Sequence, residues 1–204
     1  MAGRDLVRFT FTERVVHWLV GFSLGYVLLT GMAFSYPKLF WLLNLFGGPA
    51  TARWLHPWVG VVFTIGVVWM FLKWMREMRI TKEDRAWFGA IRHYVKHEKD
   101  QVPPTGKYNP GQKAFFWVMI VLGILHLFTG LPLWFPHAFG TDLVPIMRFV
   151  HYLVTLPALL LVLMHIYLGV ILFPGTARSM IYGTVTRAWA RLHHPLWARE
   201  KTGD

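Results

Sequence analysis

Apolar residues in this chain gather in four long blocks, at about 15–36, 54–74, 113–135 and 149–173, separated by stretches rich in charge, glycine and proline. A helix rises about 1.5 Å per residue, so each block is long enough to cross the roughly 30 Å hydrocarbon layer of a bilayer. A backbone in lipid has no water to bond, and a helix satisfies its N–H and C=O groups internally. No segment alternates apolar and polar residues as a half-buried strand does. The pattern predicts an all-α protein, an integral membrane four-helix bundle forming a single domain over 1–204.

The polar stretches set the connections. Residues 37–53 contain Gly47-Gly48-Pro49, a turn signal, and His56-Pro57 is expected to start the second helix, since proline suits a first turn. Over 83–100, Trp87, Ile91, Tyr94 and Val95 fall near one face among charges, which predicts an amphipathic helix lying at the membrane surface. Pro103-Pro104-Thr105-Gly106 ends it, and residues 107–113 lead into the third helix. A loop at 136–147 joins the third helix to the fourth. In the tail, 174–204, Ile181, Val185, Trp189 and Leu192 stand near helical spacing and predict a second surface-lying segment.

Charge adds an orientation. The net charge is +11, and its distribution points away from nucleic acid. Arg4, Arg8 and Arg14 precede the first block, ten basic residues lie from Lys73 to Lys113, and five follow from Arg178 to Lys201. Only Lys38, Arg53 and Arg148 fall on the other side. By the positive-inside rule both termini and the long middle connection are cytoplasmic, with anionic lipid headgroups as their partner. The first block follows basic residues but is too long, and lacks the small-residue cleavage site, for a signal peptide; it reads as a retained helix. The chain has no cysteine, which excludes disulfides, thiolate-held iron–sulfur clusters and C-x-x-C-H haem attachment. No P-loop or G-x-G-x-x-G motif is present. Substrate oxidation, if the protein takes part in any, must therefore happen on another chain.

Four histidines lie at or inside the apolar blocks: His17, His56, His151 and His165. From His151 to His165 a helix climbs roughly 21 Å and returns within about 40° of the same face. One helix thus offers two imidazoles to one side at two membrane depths. Topology pairs His17 with His165 on the cytoplasmic side and His56 with His151 on the outer side. Ionisable groups in a membrane are functional candidates, although a single histidine is more often a hydrogen-bonded packing residue. Four at matched depths suit two bis-histidine haems stacked across the bilayer.

Two spacings favour haem over a bare metal. Gly21, Gly60 and Gly169 follow His17, His56 and His165 by four residues, on the same helical face, where a missing side chain leaves room for a flat macrocycle. Arg14, Arg53 and Arg148 precede His17, His56 and His151 by three, placed to meet haem propionates. Glycine is also common in membrane helices for packing, and arginine snorkels at their ends. His126 has no partner at its depth, and its role stays open. His93, His97, His137, His193 and His194 read as solvated or headgroup-contacting.

These residues resemble the cytochrome b (gamma) subunit of respiratory, membrane-bound formate dehydrogenases over nearly the whole chain. The resemblance rests on Arg14-Val-Val-His17-Trp18, Leu55-His56-Pro57, Gly106-Lys-Tyr-Asn-Pro-Gly-Gln-Lys113, His165-Ile-Tyr167 and His193-His194-Pro195-Leu-Trp197. It implies two haems b, an outer one held by His56 and His151 and an inner one held by His17 and His165. It implies a bacterial cytoplasmic (inner) membrane protein with two partners, an iron–sulfur (beta) subunit and a molybdenum- or tungsten-dependent catalytic (alpha) subunit. Electrons from formate enter at the outer haem and reduce quinone near the inner one. Asn109, Gly111, Gln112 and Lys113 are then the quinone-site candidates, through amide, backbone N–H and ammonium donors. A plain helix-entry turn is the other reading of the same residues. Two alternatives remain open: the cytochrome b of a hydrogenase or thiosulfate-type reductase, and a haem-free anchor or metal or proton transporter.

Overall fold

The computed structural model describes residues 5–203, apart from the side chains of Glu83 and Lys99. Arg4, counted in the charge argument, lies outside the described residues. Among the described residues four helices are long and apolar enough to cross a membrane: Phe11–Ser35, Gly48–Trp74, Pro110–Trp134 and Leu143–Leu172. The last is α-helical to Ile166 and π-helical over Tyr167–Leu172.

All four helices begin three to six residues ahead of their apolar blocks and end within one residue of them. The asymmetry has a physical cause: the first turn carries N–H groups without intrahelical partners, and polar caps or proline meet that need. Thr10 and Glu13 form a reciprocal cap, with Thr10 N donating to Glu13 Oε2 at 2.8 Å and Glu13 N to Thr10 Oγ1 at 3.3 Å. Asn109 and Gln112 repeat it, with Gln112 N donating to Asn109 Oδ1 at 2.9 Å and Asn109 N to Gln112 Oε1 at 3.0 Å. Because the second helix starts at Gly48, His56 and Pro57 lie two turns inside it rather than at its entry. The expected loop before it holds a 3₁₀-helix, Pro37–Phe46, closed by Gly47 in the left-handed region at φ 83°.

The chain divides into two compact units. One comprises Val15–Leu72 and Met119–Met164 and is the helical bundle. Its core joins Leu24, Leu28 and Phe63 to Val20, Val67, Met119, Leu159 and Val162, so all four helices contribute. The first two helices meet closely at Gly66, where a Cβ would stand 2.5 Å from Val20 Cγ2. Leu43 of the 3₁₀-helix is fully buried against Ala33 and Ala52.

The other unit comprises residues 5–14, Lys73–Val118 and 165–203. It holds the only strands among the described residues, Leu6–Val7 paired antiparallel with Thr184–Val185. No sequence period announces a two-residue strand. The single surface helix expected over 83–100 is two short helices, Lys82–Gly89 and Ile91–Val95, followed by a 3₁₀ turn at Lys99–Gln101. The tail is three short helices, Arg178–Tyr182, Arg187–His193 and Pro195–Thr202. Its Val185, Ala190, Trp197 and Ala198 are buried together with Leu6 and Trp189 packed against them. The tail therefore builds its own small core, and Val185 is an inner residue rather than part of a lipid-facing stripe.

Candidate functional site

In the bundle, the second and fourth helices bring His56 and His151 together, with ring centroids 6.5 Å apart and planes at 61°. The first and third helices each supply a threonine. Thr30 Oγ1 donates to Tyr26 O at 2.7 Å and lies 2.8 Å from His56 Nδ1. Thr129 Oγ1 donates to Leu125 O at 2.7 Å and lies 2.8 Å from His151 Nδ1. With each hydroxyl proton committed to its own helix, the oxygen accepts and the imidazole Nδ1–H donates; the tautomer is assigned from this network. Each Nε2 then keeps its lone pair, the form a metal requires.

The spacing fits a metal between the rings. Metal–nitrogen bonds of about 2 Å, plus about 1 Å from nitrogen to ring centre, put two axial imidazoles about 6 Å apart, centre to centre. Among the described residues no group of three or more His, Cys, Asp or Glu is placed to hold a metal ion. Two imidazoles leave the other coordination positions to a macrocycle, as in a haem. A Cβ added at Gly60, one turn beyond His56, would meet no atom within 4 Å, so that face can admit a flat ring.

His126 sits beside this pair. Its Nδ1 lies 2.8 Å from Leu122 O, its Nε2 3.2 Å from Thr155 Oγ1, and its ring 5.1 Å edge-on from His151. Both nitrogens face protein partners, so it buttresses His151. Arg53 and Arg148 are exposed, and the Arg53 guanidinium stands 6.0 Å over the Phe34 ring.

His17 belongs to the bundle unit, edge-on to Trp18 at 5.6 Å. Gly21, one turn on, has nothing within 4 Å of a built Cβ. His165 belongs to the other unit and stacks on Phe115, centroids 4.7 Å apart and 8° from parallel. Gly169 also faces open space but lies in the π-helical turn, where the i+4 face relation loosens. Arg14 Nη1 donates to Ile181 O at 2.6 Å, which ties it to the tail backbone.

The stretch before the third helix is dense with bonds. Asn109 is buried; besides its cap bonds its Nδ2 donates to Tyr94 OH at 3.0 Å. Lys113 Nζ meets Asp84 Oδ2 at 2.7 Å, both side chains 11% exposed. A Cβ on Gly111 would stand 3.3 Å from Trp87 Cη2, so the indole covers that backbone closely. A cavity of about 260 Å³ opens among Asp84, Trp87, Thr105, Pro110, Lys113 and Leu196. Burial pushes the Tyr94 hydroxyl up to about 12, which keeps it protonated.

Two of the stretches that carry the resemblance, 106–113 and 193–197, touch. His194, expected in solvent or at headgroups, is 1% exposed. Its Nδ1 lies 2.7 Å from Gly106 O and its Nε2 3.0 Å from Arg8 Nη2, which also donates to Lys107 O at 2.8 Å. Thr105 Oγ1 donates to His193 O at 2.9 Å. Burial, reinforced by the Arg8 charge, holds His194 well below its ordinary range and neutral. Burial also lowers Arg8, to about 10, which leaves it charged near neutral pH.

The sequence reading missed Thr30, Thr129 and the Arg8–His194 contact. A signal existed for the threonines: Thr-Gly occurs at 30–31 and 129–130, within two apolar blocks. None existed for Arg8, whose partners are distant in the chain.

Comparison with known proteins gives a consistent picture. Residues 8–183 match the family model described as prokaryotic cytochrome b561. The chain is 36% identical over 204 residues to the cytochrome b556(fdo) subunit of formate dehydrogenase from Escherichia coli K12, covering 98% of this chain and 95% of that one. It is 33% identical over 198 residues to the cytochrome b556(Fdn) subunit of the nitrate-inducible enzyme of the same strain, covering 96% and 91%. A formate dehydrogenase cytochrome b556 subunit from Haemophilus influenzae is 31% identical over 202 residues, covering 96% and 83%.

Proposed function

The chain belongs to the prokaryotic cytochrome b561 family, and from that membership we propose that it is the dihaem membrane subunit of a formate dehydrogenase, passing electrons across the bacterial cytoplasmic membrane to quinone. One observation carries the reading: the His56 and His151 ring centres stand 6.5 Å apart, and each Nδ1 is held by a threonine, which leaves Nε2 to bind. Haem supplies reversible one-electron chemistry when bound. His56 and His151 hold the outer haem; His17 and His165 hold the inner one, with Phe115 flat against the His165 ring fixing its plane. Arg53 and Arg148, exposed at one end of the bundle helices, are positioned for propionates on the outer side, and Arg14 serves the inner side with the nitrogens that Ile181 does not take.

The basic residues orient the chain with both termini and the 82–101 segment in the cytoplasm. The partners are an iron–sulfur subunit and a molybdenum- or tungsten-dependent catalytic subunit, consistent with relatives that are named as subunits of formate dehydrogenases. Quinone binds where the third helix begins. The Gly111 N–H, at the second helical position, is among those a helix leaves without an intrahelical partner, and it can donate to a quinone carbonyl. The reciprocal cap and Tyr94 hold Asn109 and Gln112 in place, and Lys113 keeps a buried positive charge, balanced by Asp84, next to the cavity.

The test is a haem count with a reduced-minus-oxidised spectrum on the purified complex. We expect two haems b per chain, both reduced by formate, and one in His151→Ala. A His151→Ala variant that keeps both overturns the assignment of the outer ligands.

A further inference from the structure

We infer that Thr30 and Thr129 are positioning residues for the outer haem: each fixes the tautomer and plane of one axial imidazole and strengthens it as a ligand. The inference rests on the reading of His56 and His151 as that haem's ligands.

The two halves of the site are built alike from unrelated stretches of sequence. Thr30 on the first helix serves His56 on the second; Thr129 on the third serves His151 on the fourth. In both, the hydroxyl donates to the carbonyl four residues back at 2.7 Å, and the oxygen sits 2.8 Å from Nδ1. In both, glycine follows, and a Cβ built on Gly31 or Gly130 would stand 3.5 Å from the Cε1 of the same imidazole. The Thr-Gly backbone thus lies along one edge of each ring. Thr30 is 0% and Thr129 5% exposed, so water does not compete for the bond.

A threonine in a membrane helix satisfies itself with the bond to its own backbone. Ser23 and Thr64 do that in the same bundle, at 2.7 and 2.8 Å. Thr30 and Thr129 do more: the intrahelical bond turns the oxygen into a pure acceptor aimed at an imidazole on the neighbouring helix. An acceptor at Nδ1–H makes Nε2 a stronger donor to a metal, and outer-shell partners of this kind hold ligand orientation. A stronger donor favours the oxidised, more positive metal and so lowers the reduction potential. The inner ligands lie elsewhere, so the effect is confined to one haem.

The experiment is a potentiometric titration with low-temperature EPR on the intact complex carrying Thr129→Val, Thr30→Val, both together, and Thr129→Ser. Valine keeps the shape and removes the acceptor. We expect one of the two haem waves to move to higher potential, by about tenfold in its reduced-to-oxidised ratio, which is about 59 mV for one electron. The double variant moves furthest, the second wave stays in place, the low-spin g-values of the moved haem change, and Thr129→Ser restores both potential and signal. Loss of that one haem from the valine variants, restored by serine, also supports the inference. Two unchanged waves with unchanged EPR overturn it, as does haem loss that serine fails to restore. If His151→Ala still removes one haem, such a failure leaves the ligand assignment standing; if His151→Ala keeps both, that assignment has failed instead.

Discussion

In the helical bundle, Ser23, Thr30, Thr64, Thr129 and Thr155 each bond the carbonyl four residues back on their own helix. In the unit of 5–14, 73–118 and 165–203 some buried polar groups instead reach far along the chain. Arg8 meets His194 across 186 positions and the Lys107 carbonyl across 99; Thr105 meets the His193 carbonyl across 88. The difference follows from what each region must satisfy. A membrane helix closes its own backbone ladder, so a hydroxyl needs only the nearest carbonyl. A unit assembled from short helices and connections leaves many backbone groups open, and side chains from elsewhere must meet them. In the bundle His56 and His151 each bond a threonine through Nδ1 alone, whereas in the other unit His194 is held at both nitrogens, between a guanidinium and a carbonyl.

The largest test of the contrast is Lys113→Met. It leaves the Asp84 carboxylate buried without its cation, a change that costs about 3–5 kcal/mol. We expect rapid limited proteolysis between Pro103 and Gly106 and a lower unfolding temperature. Adding Asp84→Leu should recover most of the loss, because an apolar pair replaces an uncompensated charge.

A moderate effect is expected from pH. His194 is held neutral in the folded unit, with its affinity for protons depressed below the ordinary value of 6.5. Once unfolded, the imidazole takes up a proton as pH falls through about 6.5, so the unfolded chain binds more protons and stability declines there. Cleavage at the 103–106 stretch should accelerate from pH 7.5 to pH 5.5, and His194→Gln should flatten that slope. A wild-type profile with no slope would remove His194 from the account.

The smallest effect is expected from Thr64→Val, whose bond runs only to Gly60 on its own helix. Its unfolding temperature should correspond to a change within about 0.5 kcal/mol. A loss comparable to that of Lys113→Met would break the distinction between local and long-range satisfaction.

Hydropathy was enough to find the four spanning helices, because length and apolarity alone determine what can lie in lipid. It placed their starts late: Thr10 and Asn109 cap their helices, and the second and fourth helices begin at Gly48 and Leu143, ahead of the long apolar runs. Spacing within helices brought His56 and His151 to attention, and the structure sets them ring to ring. The glycines singled out at i+4 share a helix with their histidines; Gly31 and Gly130, which border the rings, come from neighbouring helices, and periodicity along one helix says nothing about a neighbour. The tail after Pro174 shows the same limit: the spacing of Ile181, Val185, Trp189 and Leu192 predicts a surface-lying segment, yet Val185 lies in a buried cluster against which Leu6, from far along the sequence, is packed.

The pairing of Leu6–Val7 with Thr184–Val185, next to the Arg8–His194 contact, has a consequence for biogenesis. Elongation at about 5–20 residues per second separates the emergence of Arg8 from that of His194 by on the order of ten seconds or more. Through that interval each helical hairpin can insert as it is made, while the opening strand waits with its edge bare. A nascent molecule stalled before Thr184 therefore carries an uncovered guanidinium beside an unmatched strand, the kind of partly folded surface that quality-control proteolysis acts on.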